Sequence, residues 1–211
     1  MKEKKYKYIL LSLLLLLAVP GMAQQLKKVS DAKAKTMIST IAKYSKAMSV
    51  MTANFTQKSS FSFMDEPVVS YGSMTYNAPL KLEWTYSKPY KYTLVIEGNK
   101  VTTKSGKHSS TMDLSANRMF QSISKMAFSS INGDSFTSNR DFIVTMYTRG
   151  SHWVGVLTPR SEAMKSRLKN VTIEYDPSIH NVRKINMTHK NGDFIVIDFK
   201  DIKTSTHKVS K

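Results

Sequence analysis

Apolar positions in this chain recur first at helical and then at strand spacing. Ser30 and Asp31 can cap a helix, and behind them apolar residues return every three or four positions as far as Met48. From Thr52 onward the period changes to two, and turn residues rich in Pro, Gly, Asn and Asp separate the alternating segments. The pattern predicts one amphipathic helix and then a meander of antiparallel strands at 52–63, 68–77, 80–87, 91–97 and 100–104.

The second half of the chain repeats this change of period. A helical stripe over 113–132 predicts one or two short helices, and a polar segment at 160–170 is compatible with another helical turn. Alternation elsewhere predicts five more strands, at 141–148, 152–158, 171–175, 182–189 and 193–200, followed by a frayed polar end at 203–211. We therefore expect a mainly β, α+β protein whose sheet of about ten antiparallel strands curls strongly, with helices against its concave side.

The segment that follows Pro79 poses the functional question. Leu82, Trp84 and Tyr86 alternate with polar residues, so they share one face of the predicted strand. An ordinary core strand explains this bulky face as well as a ligand-binding wall does. The chain has thirteen methionines, whose side chains adapt to irregular apolar partners. By themselves they are more typical of a core, but together with a curled sheet and a Met- and Phe-rich helical segment they favour a pocket for a flexible apolar ligand.

The N-terminus has the pattern of a cleaved secretory signal. Four lysines precede an apolar run at 9–19, and small residues lie before a cleavage position after Ala23. The run is short for a membrane span, which needs about twenty apolar residues. We expect a signal peptide at 1–23 and a single mature domain at 24–211. Because the chain has no cysteine to carry a lipid anchor, that domain is expected to be a soluble periplasmic protein.

The charge of the chain narrows the choice of partner. Its 32 basic and 15 acidic residues give a net charge of +17, and removing the four lysines and one glutamate of the signal leaves +14. Such a charge favours anionic surfaces, and it also serves solubility with no partner at all. Nucleic acid is disfavoured, because Tyr90 and Tyr92 would point away from Lys91 on a strand and because the chain is exported.

No motif of a common enzyme is present. The sequence has no cysteine nucleophile, no G-x-S-x-G elbow, no H-E-x-x-H and no P-loop. Its five histidines are scattered and none stands at a metal-ligand spacing from another. We expect neither catalysis nor a metal or other cofactor.

Three segments resemble the family of the outer-membrane lipoprotein carrier LolA. They are residues 51–57 (MTANFTQ), 69–74 (VSYGSM) and 79–89 (PLKLEWTYSKP). The resemblance implies an incomplete antiparallel barrel with a helical lid over an apolar cavity, and a role in ferrying lipoprotein acyl chains across the periplasm. Position by position it implies that the cavity is lined by Phe55, Leu82, Trp84 and Tyr86.

Other lining residues follow from pattern rather than from resemblance. Alternation adds Leu94 and Ile96, and helical periodicity selects Met119, Phe120 and Ile123 for the lid. The resemblance also implies an inner-membrane release complex and an outer-membrane acceptor as partners of a monomeric carrier.

Two departures from the family keep other functions open. The family commonly has an arginine before the proline that begins the tryptophan strand, where this chain has Ala78, and it commonly ends in an F-x-F-x-x-P segment, which is missing before Lys211. The alternatives are a carrier of another lipid, such as a glycolipid or lipid-linked pigment, and a basic envelope-binding module without a pocket.

Overall fold

The computed structural model describes residues 25–113, 128–129, 131, 134–137 and 141–206. Within these residues the chain forms twelve strands and three helices. The helices are α1 (Asp31–Ala47), α2 (Asp134–Thr137) and α3 (Glu162–Lys165). The strands are β1 (Lys27–Lys28), β2 (Met48–Ser60), β3 (Val68–Asn77), β4 (Lys81–Lys88), β5 (Tyr92–Glu97), β6 (Lys100–Ser105), β7 (His108–Asp113), β8 (Phe142–Arg149), β9 (His152–Pro159), β10 (Leu168–Asp176), β11 (Asn181–His189) and β12 (Phe194–Thr206).

All twelve strands belong to one antiparallel sheet. Its order is β1-β8-β9-β10-β11-β12-β2-β3-β4-β5-β6-β7, so two meanders meet where β12 pairs with β2. The sheet does not close, since β1 and β7 lie at opposite edges. The expected class, mainly β with helices on an unclosed antiparallel sheet, is therefore confirmed.

Helix α1 is held against the sheet by its apolar stripe. Ser30 caps it as predicted, because the Ser30 side chain accepts a hydrogen bond from the Lys33 backbone N–H. Met37 and Ile41 are buried and join one core cluster with residues of both meanders. The helix ends at Ala47 and β2 begins at the next residue.

A second contact packs α2 closely onto the sheet. A Cβ atom at Gly155 of β9 would lie 2.3 Å from Cε1 of Phe136, so the Phe136 ring occupies the place of the missing side chain. Phe136 is 2% exposed. Glycine at this strand position therefore lets a helix approach the sheet backbone.

The structure corrects several predicted bounds. The sheet has twelve strands rather than about ten, since β1 and β7 were not expected. The segment 203–211 was expected to fray, but residues 203–206 continue β12 and pair with the start of β2, because the backbone ladder is available even to polar residues. The helical turn expected within 160–170 is present as α3. Most of the predicted helical segment 113–132 lies outside the described residues, and Asp113 itself ends β7.

The signal peptide expected at 1–23 also lies outside the described residues, so the structure leaves it as a prediction. No helix in the part of the chain that the structure describes has the length and apolar character needed to cross a bilayer.

Candidate functional site

The predicted lining residues of β4 lie in three rows across the inner face of the sheet. Each row follows from the strand register, which places a residue of β4 between a partner on β3 and a partner on β5. The rows are Tyr76, Leu82 and Ile96; Met74, Trp84 and Leu94; and Gly72, Tyr86 and Tyr92. Period-two alternation therefore put Leu82, Trp84, Tyr86, Leu94 and Ile96 correctly on one face.

Exposure rises from row to row along this face. Leu82 is 1% exposed and Trp84 is 9% exposed, whereas Tyr92 is 40% exposed. Leu94 and Tyr86 are partly buried and pack against the core cluster. The inner face is thus most enclosed at the row of Leu82 and opens toward the row of Tyr86 and Tyr92, which we name the mouth.

Phe55 joins the rows from the neighbouring strand β2. Its ring lies 4.3 Å from the ring of Trp84 and meets that of Tyr86 edge-on at 5.2 Å, both measured between centroids. Phe55 pairs with Gly72, and a Cβ atom at Gly72 would lie 2.5 Å from Phe55 Cζ. The glycine lets the Phe55 ring lie across β3. Sequence reasoning selected Phe55 but missed Gly72 and also Phe199, whose ring meets Trp84 at 5.9 Å.

Polar groups are concentrated at the mouth. Tyr86 donates a hydrogen bond from its hydroxyl to Gln57 Oε1 at 2.9 Å, and Gln57 Nε2 donates to Ser59 Oγ at 3.0 Å. Tyr86 stacks on Tyr92 with 4.4 Å between ring centroids. Burial raises the pKa of Tyr86 above its usual value, and the neighbouring Tyr92 adds to the rise. The Tyr86 hydroxyl is therefore neutral and bonded at ordinary pH.

The Trp84 indole carries a polar group into the apolar part of the face. Its Nε1 is buried and finds no acceptor at hydrogen-bonding geometry among the described residues. The indole N–H also acts to lower the pKa of the Tyr86 hydroxyl, but burial, which raises that pKa, has the larger effect. A buried donor of this kind is costly unless an occupant or a neighbour satisfies it.

An open depression with a volume of ≈ 300 Å³ lies at the same end of the sheet. Its lining includes Thr85, Thr93 and Lys104, which pair across the outer face of β4, β5 and β6. The depression therefore belongs to the outer face, and the polar contacts at the mouth of the inner face come from Tyr86 and Gln57. Apolar contacts inside with polar contacts at the opening suit an amphiphile.

The remaining predicted lining residues are the three assigned to the lid. Met119, Phe120 and Ile123 lie outside the described residues, so their placement remains a prediction. Ile131, from the same predicted helical stripe, and Phe128, from the same predicted helical segment, are buried and belong to the core cluster with the sheet residues.

A cluster that sequence reasoning did not foresee lies at the other end of the sheet. His152 Nδ1 lies 2.8 Å from Glu174 Oε1, and Arg149 donates to Glu174 Oε2 at 3.0 Å. Asp176 accepts hydrogen bonds from the Ser178 backbone N–H and hydroxyl. The pKa of Asp176 is lowered although burial works to raise it, because the Ser178 hydrogen bonds outweigh burial, aided by nearby basic groups. Strand pairing brings these residues together, and no local sequence signal marks them.

Comparison with known proteins places these features in a family context. The family described as outer membrane lipoprotein carrier protein LolA has a model that matches residues 46–211. No curated protein matches the chain.

Several solved structures have a similar fold. A LolA superfamily protein from Nitrosomonas europaea is 10% identical, with 82% of this chain and 93% of that chain covered and a TM-score of 0.40. The lipoprotein LppX from Mycobacterium tuberculosis is 10% identical, with 86% and 99% covered and a TM-score of 0.45. The MucA/MucB complex from Pseudomonas aeruginosa is 9% identical, with 82% and 58% covered and a TM-score of 0.47. Likeness at this level concerns the fold and not the ligand.

Proposed function

The chain belongs to the LolA family of outer-membrane lipoprotein carriers, and on that premise we propose that it binds lipoprotein acyl chains and ferries them across the periplasm toward the outer membrane. The observation that carries the proposal is the graded inner face, apolar at the row of Leu82 and polar at the mouth. Members of this family are binding or carrier proteins, and the fold is compatible with lipid binding.

The physical requirement for such a carrier is a large apolar lining. Transfer of an acyl chain out of a bilayer costs about 0.8 kcal/mol per CH₂ group, so a chain of roughly sixteen carbons needs about 10 kcal/mol of compensating apolar contact. The aromatic and aliphatic side chains of the three rows offer contact of this kind. Phe55, Leu82 and Trp84 would hold the deeper part of the chain, and Leu94, Ile96 and Tyr86 would complete the wall.

The polar end of the cargo would remain at the mouth. The bonded pair of Tyr86 and Gln57 lies there beside Tyr92, which is 40% exposed. In this proposal Met119, Phe120 and Ile123 form the lid over the chain. The carrier acts as a periplasmic monomer after removal of residues 1–23. It receives cargo from an inner-membrane release complex, delivers it to an outer-membrane acceptor, and uses no cofactor.

The test is the lipid content of the protein purified from envelope extracts. We expect mass spectrometry to find bound acylated lipid, and we expect the purified protein to release a triacylated lipoprotein from membranes. Leu94→Asn places an amide on the inner face and should lower lipid binding about tenfold. Val95→Asn is the matched control, because Val95 is half-buried on the same strand but on the opposite face. A lipid-free wild-type protein, or equal losses in both variants, would contradict the proposal.

Ala78 favours a second candidate, a carrier for a different lipid. It stands where the family commonly has an arginine, and its backbone N–H donates to Ser49 O while its methyl group packs against the core cluster. The same mass spectrum separates the two candidates, since a glycolipid or a lipid-linked pigment differs from a lipoprotein in mass. The basic envelope-binding module predicts instead that Trp84→Ala leaves binding intact and that binding falls steeply with salt.

A further inference from the structure

The loops at one end of the sheet form a continuous edge. They join β11 to β12, β2 to β3, β4 to β5 and β6 to β7, which is also their order in the sheet. The Ser62 backbone N–H donates to Asp193 Oδ1 at 2.7 Å, and the Ser87 hydroxyl donates to the Tyr71 carbonyl at 3.1 Å, so neighbouring loops are tied together. We call these loops and their flanking strand ends the rim, at residues 58–71, 86–93, 104–108 and 189–193.

The rim exposes large apolar side chains. Phe63 is 81% exposed and Tyr90 is 78% exposed, and the ring of Phe61 stacks on that of Phe63 at 5.5 Å between centroids. Val68, Val69, Tyr71 and Tyr92 are exposed there as well. Single exposed apolar residues are common on protein surfaces, but a group of aromatics on adjoining loops indicates an interaction surface.

The rim is also basic. It contains six lysines and three acidic residues, Asp65, Glu66 and Asp193, the last of which is bonded to Ser62. Within the described residues none of the six lysines lies in an ion pair; they are Lys58, Lys88, Lys91, Lys104, Lys107 and Lys190.

The other end of the sheet differs in this respect. There Lys81 pairs with Glu97, and Arg149 pairs with Glu174. Arg183 lies 3.6 Å from Asp176. Ion pairs among the described residues are thus found at that end and not at the rim, although Lys100 and Lys203 at that end lie in none.

We propose that the rim is a docking surface for an anionic lipid bilayer. Aromatic side chains suit the boundary between headgroups and acyl chains, and free lysines suit lipid phosphates. The mouth of the inner face lies at this same end, because Tyr86 and Tyr92 belong to strand ends of the rim. Docking there would bring a membrane against the opening, where cargo could pass. That use of the contact rests on the proposed function, whereas the membrane contact itself does not.

The apolar part is tested by flotation of the full mature protein with vesicles of phosphatidylglycerol and phosphatidylcholine. Phe63→Ser should lower the vesicle partition coefficient about tenfold, since a phenyl ring would leave the interface. Leu80→Ser is the matched control: Leu80 is 55% exposed in the loop between β3 and β4, at the other end of the sheet. We expect Leu80→Ser to leave the partition coefficient unchanged.

The charged part is tested with paired lysine variants. Lys91→Gln with Lys190→Gln should weaken binding about fivefold per lysine at low salt, and added salt should remove the difference. The control pair, Lys100→Gln with Lys203→Gln, has the same net charge but changes exposed lysines away from the rim. Equal losses in the two pairs would show a response to net charge alone and would overturn the proposal.

The outcomes separate docking from cargo binding. A wild-type protein that contains lipid but does not float with anionic vesicles overturns the docking proposal and leaves the carrier function standing. A protein that floats through the rim but never contains lipid supports docking and contradicts the carrier function. Phe63→Ser protein should keep its bound lipid, because Phe63 lies outside the inner face.

Discussion

The change Gly72→Ala tests how closely the inner face is packed. A methyl group at this position would lie 2.1 Å from the carbonyl oxygen of Thr85 and 2.5 Å from Phe55 Cζ. The Phe55 ring can turn, but the Thr85 oxygen belongs to the backbone of β4, which is paired with β3 on one side and β5 on the other. Overpacking of this kind costs about 1–3 kcal/mol, and the lower entropy of the unfolded alanine chain returns at most about 1 kcal/mol.

We therefore expect Gly72→Ala to lower the free energy of unfolding by about 2 kcal/mol, which lowers the Tm by about 4–8 °C in a domain of this size. Urea unfolding followed by far-ultraviolet circular dichroism measures the change. Ser73→Ala is the control, because Ser73 is the next residue of β3 and is exposed. It should alter stability by less than about 0.5 kcal/mol.

A double variant that combines Gly72→Ala with Phe55→Leu separates the destabilisation due to the Phe55 ring from that due to the backbone of β4. If the ring carries part of the strain, the two free-energy changes should sum to more than the change in the double variant. A Gly72→Ala protein within about 0.5 kcal/mol of wild type would refute the close contact of β2, β3 and β4, and with it the fixed position of Phe55 in the lining.

Three further predictions concern polar groups of the fold. Trp84→Phe should change the free energy of unfolding by less than about 1 kcal/mol, because removal of a buried N–H without an acceptor offsets the lost volume. Trp84→Ala should lower the free energy of unfolding by about 3–5 kcal/mol. Urea unfolding measures both changes. Burial, and after it the neighbouring Tyr92, raises the pKa of Tyr86. The stability that Tyr86 contributes is therefore complete below pH 10.0 and falls as the pH rises further. In an ultraviolet titration, the Tyr86→Phe variant should show one fewer late-ionising tyrosine than the wild type. The pKa of Asp176 is lowered below 3.8, because burial, which raises it, is outweighed by the Ser178 hydrogen bonds. The contribution of Asp176 to the free energy of unfolding is therefore present above pH 3.8 and lost as the pH falls through the lowered pKa. Asp176→Asn should flatten the acid side of a plot of stability against pH.

Alternation in the sequence was sufficient to assign the inner face of β4 and β5. It works there because one side of each strand is apolar and the other polar, so the burial of Leu82 and Ile96 can be read from spacing alone. It failed for β7, since all six residues from His108 to Asp113 are exposed and no face is apolar. That strand is placed by its backbone ladder to β6, with the hydroxyls of Thr102 and Thr111 2.9 Å apart.

The finer arrangement of the candidate site depends on register, which spacing does not give. Phe55 lies over Gly72 because β2 and β3 pair with that offset, and a shift of one residue would turn every side chain to the other face. The cluster of His152, Glu174 and Asp176 likewise requires β9 to lie beside β10. The exposure of Phe63 at the rim likewise cannot be read from spacing, because Phe63 lies in the turn beyond the end of β2.

The open sheet has a consequence for capacity. In a closed barrel the number of strands and their stagger fix the diameter, so the interior can grow only by adding strands. Here β1 and β7 are separate edges, and the two meanders are joined at a single seam between β12 and β2. The number of strands therefore does not fix the curvature of this sheet. If the inner face holds the proposed cargo, side chains and covering helices would limit its capacity, rather than strand count.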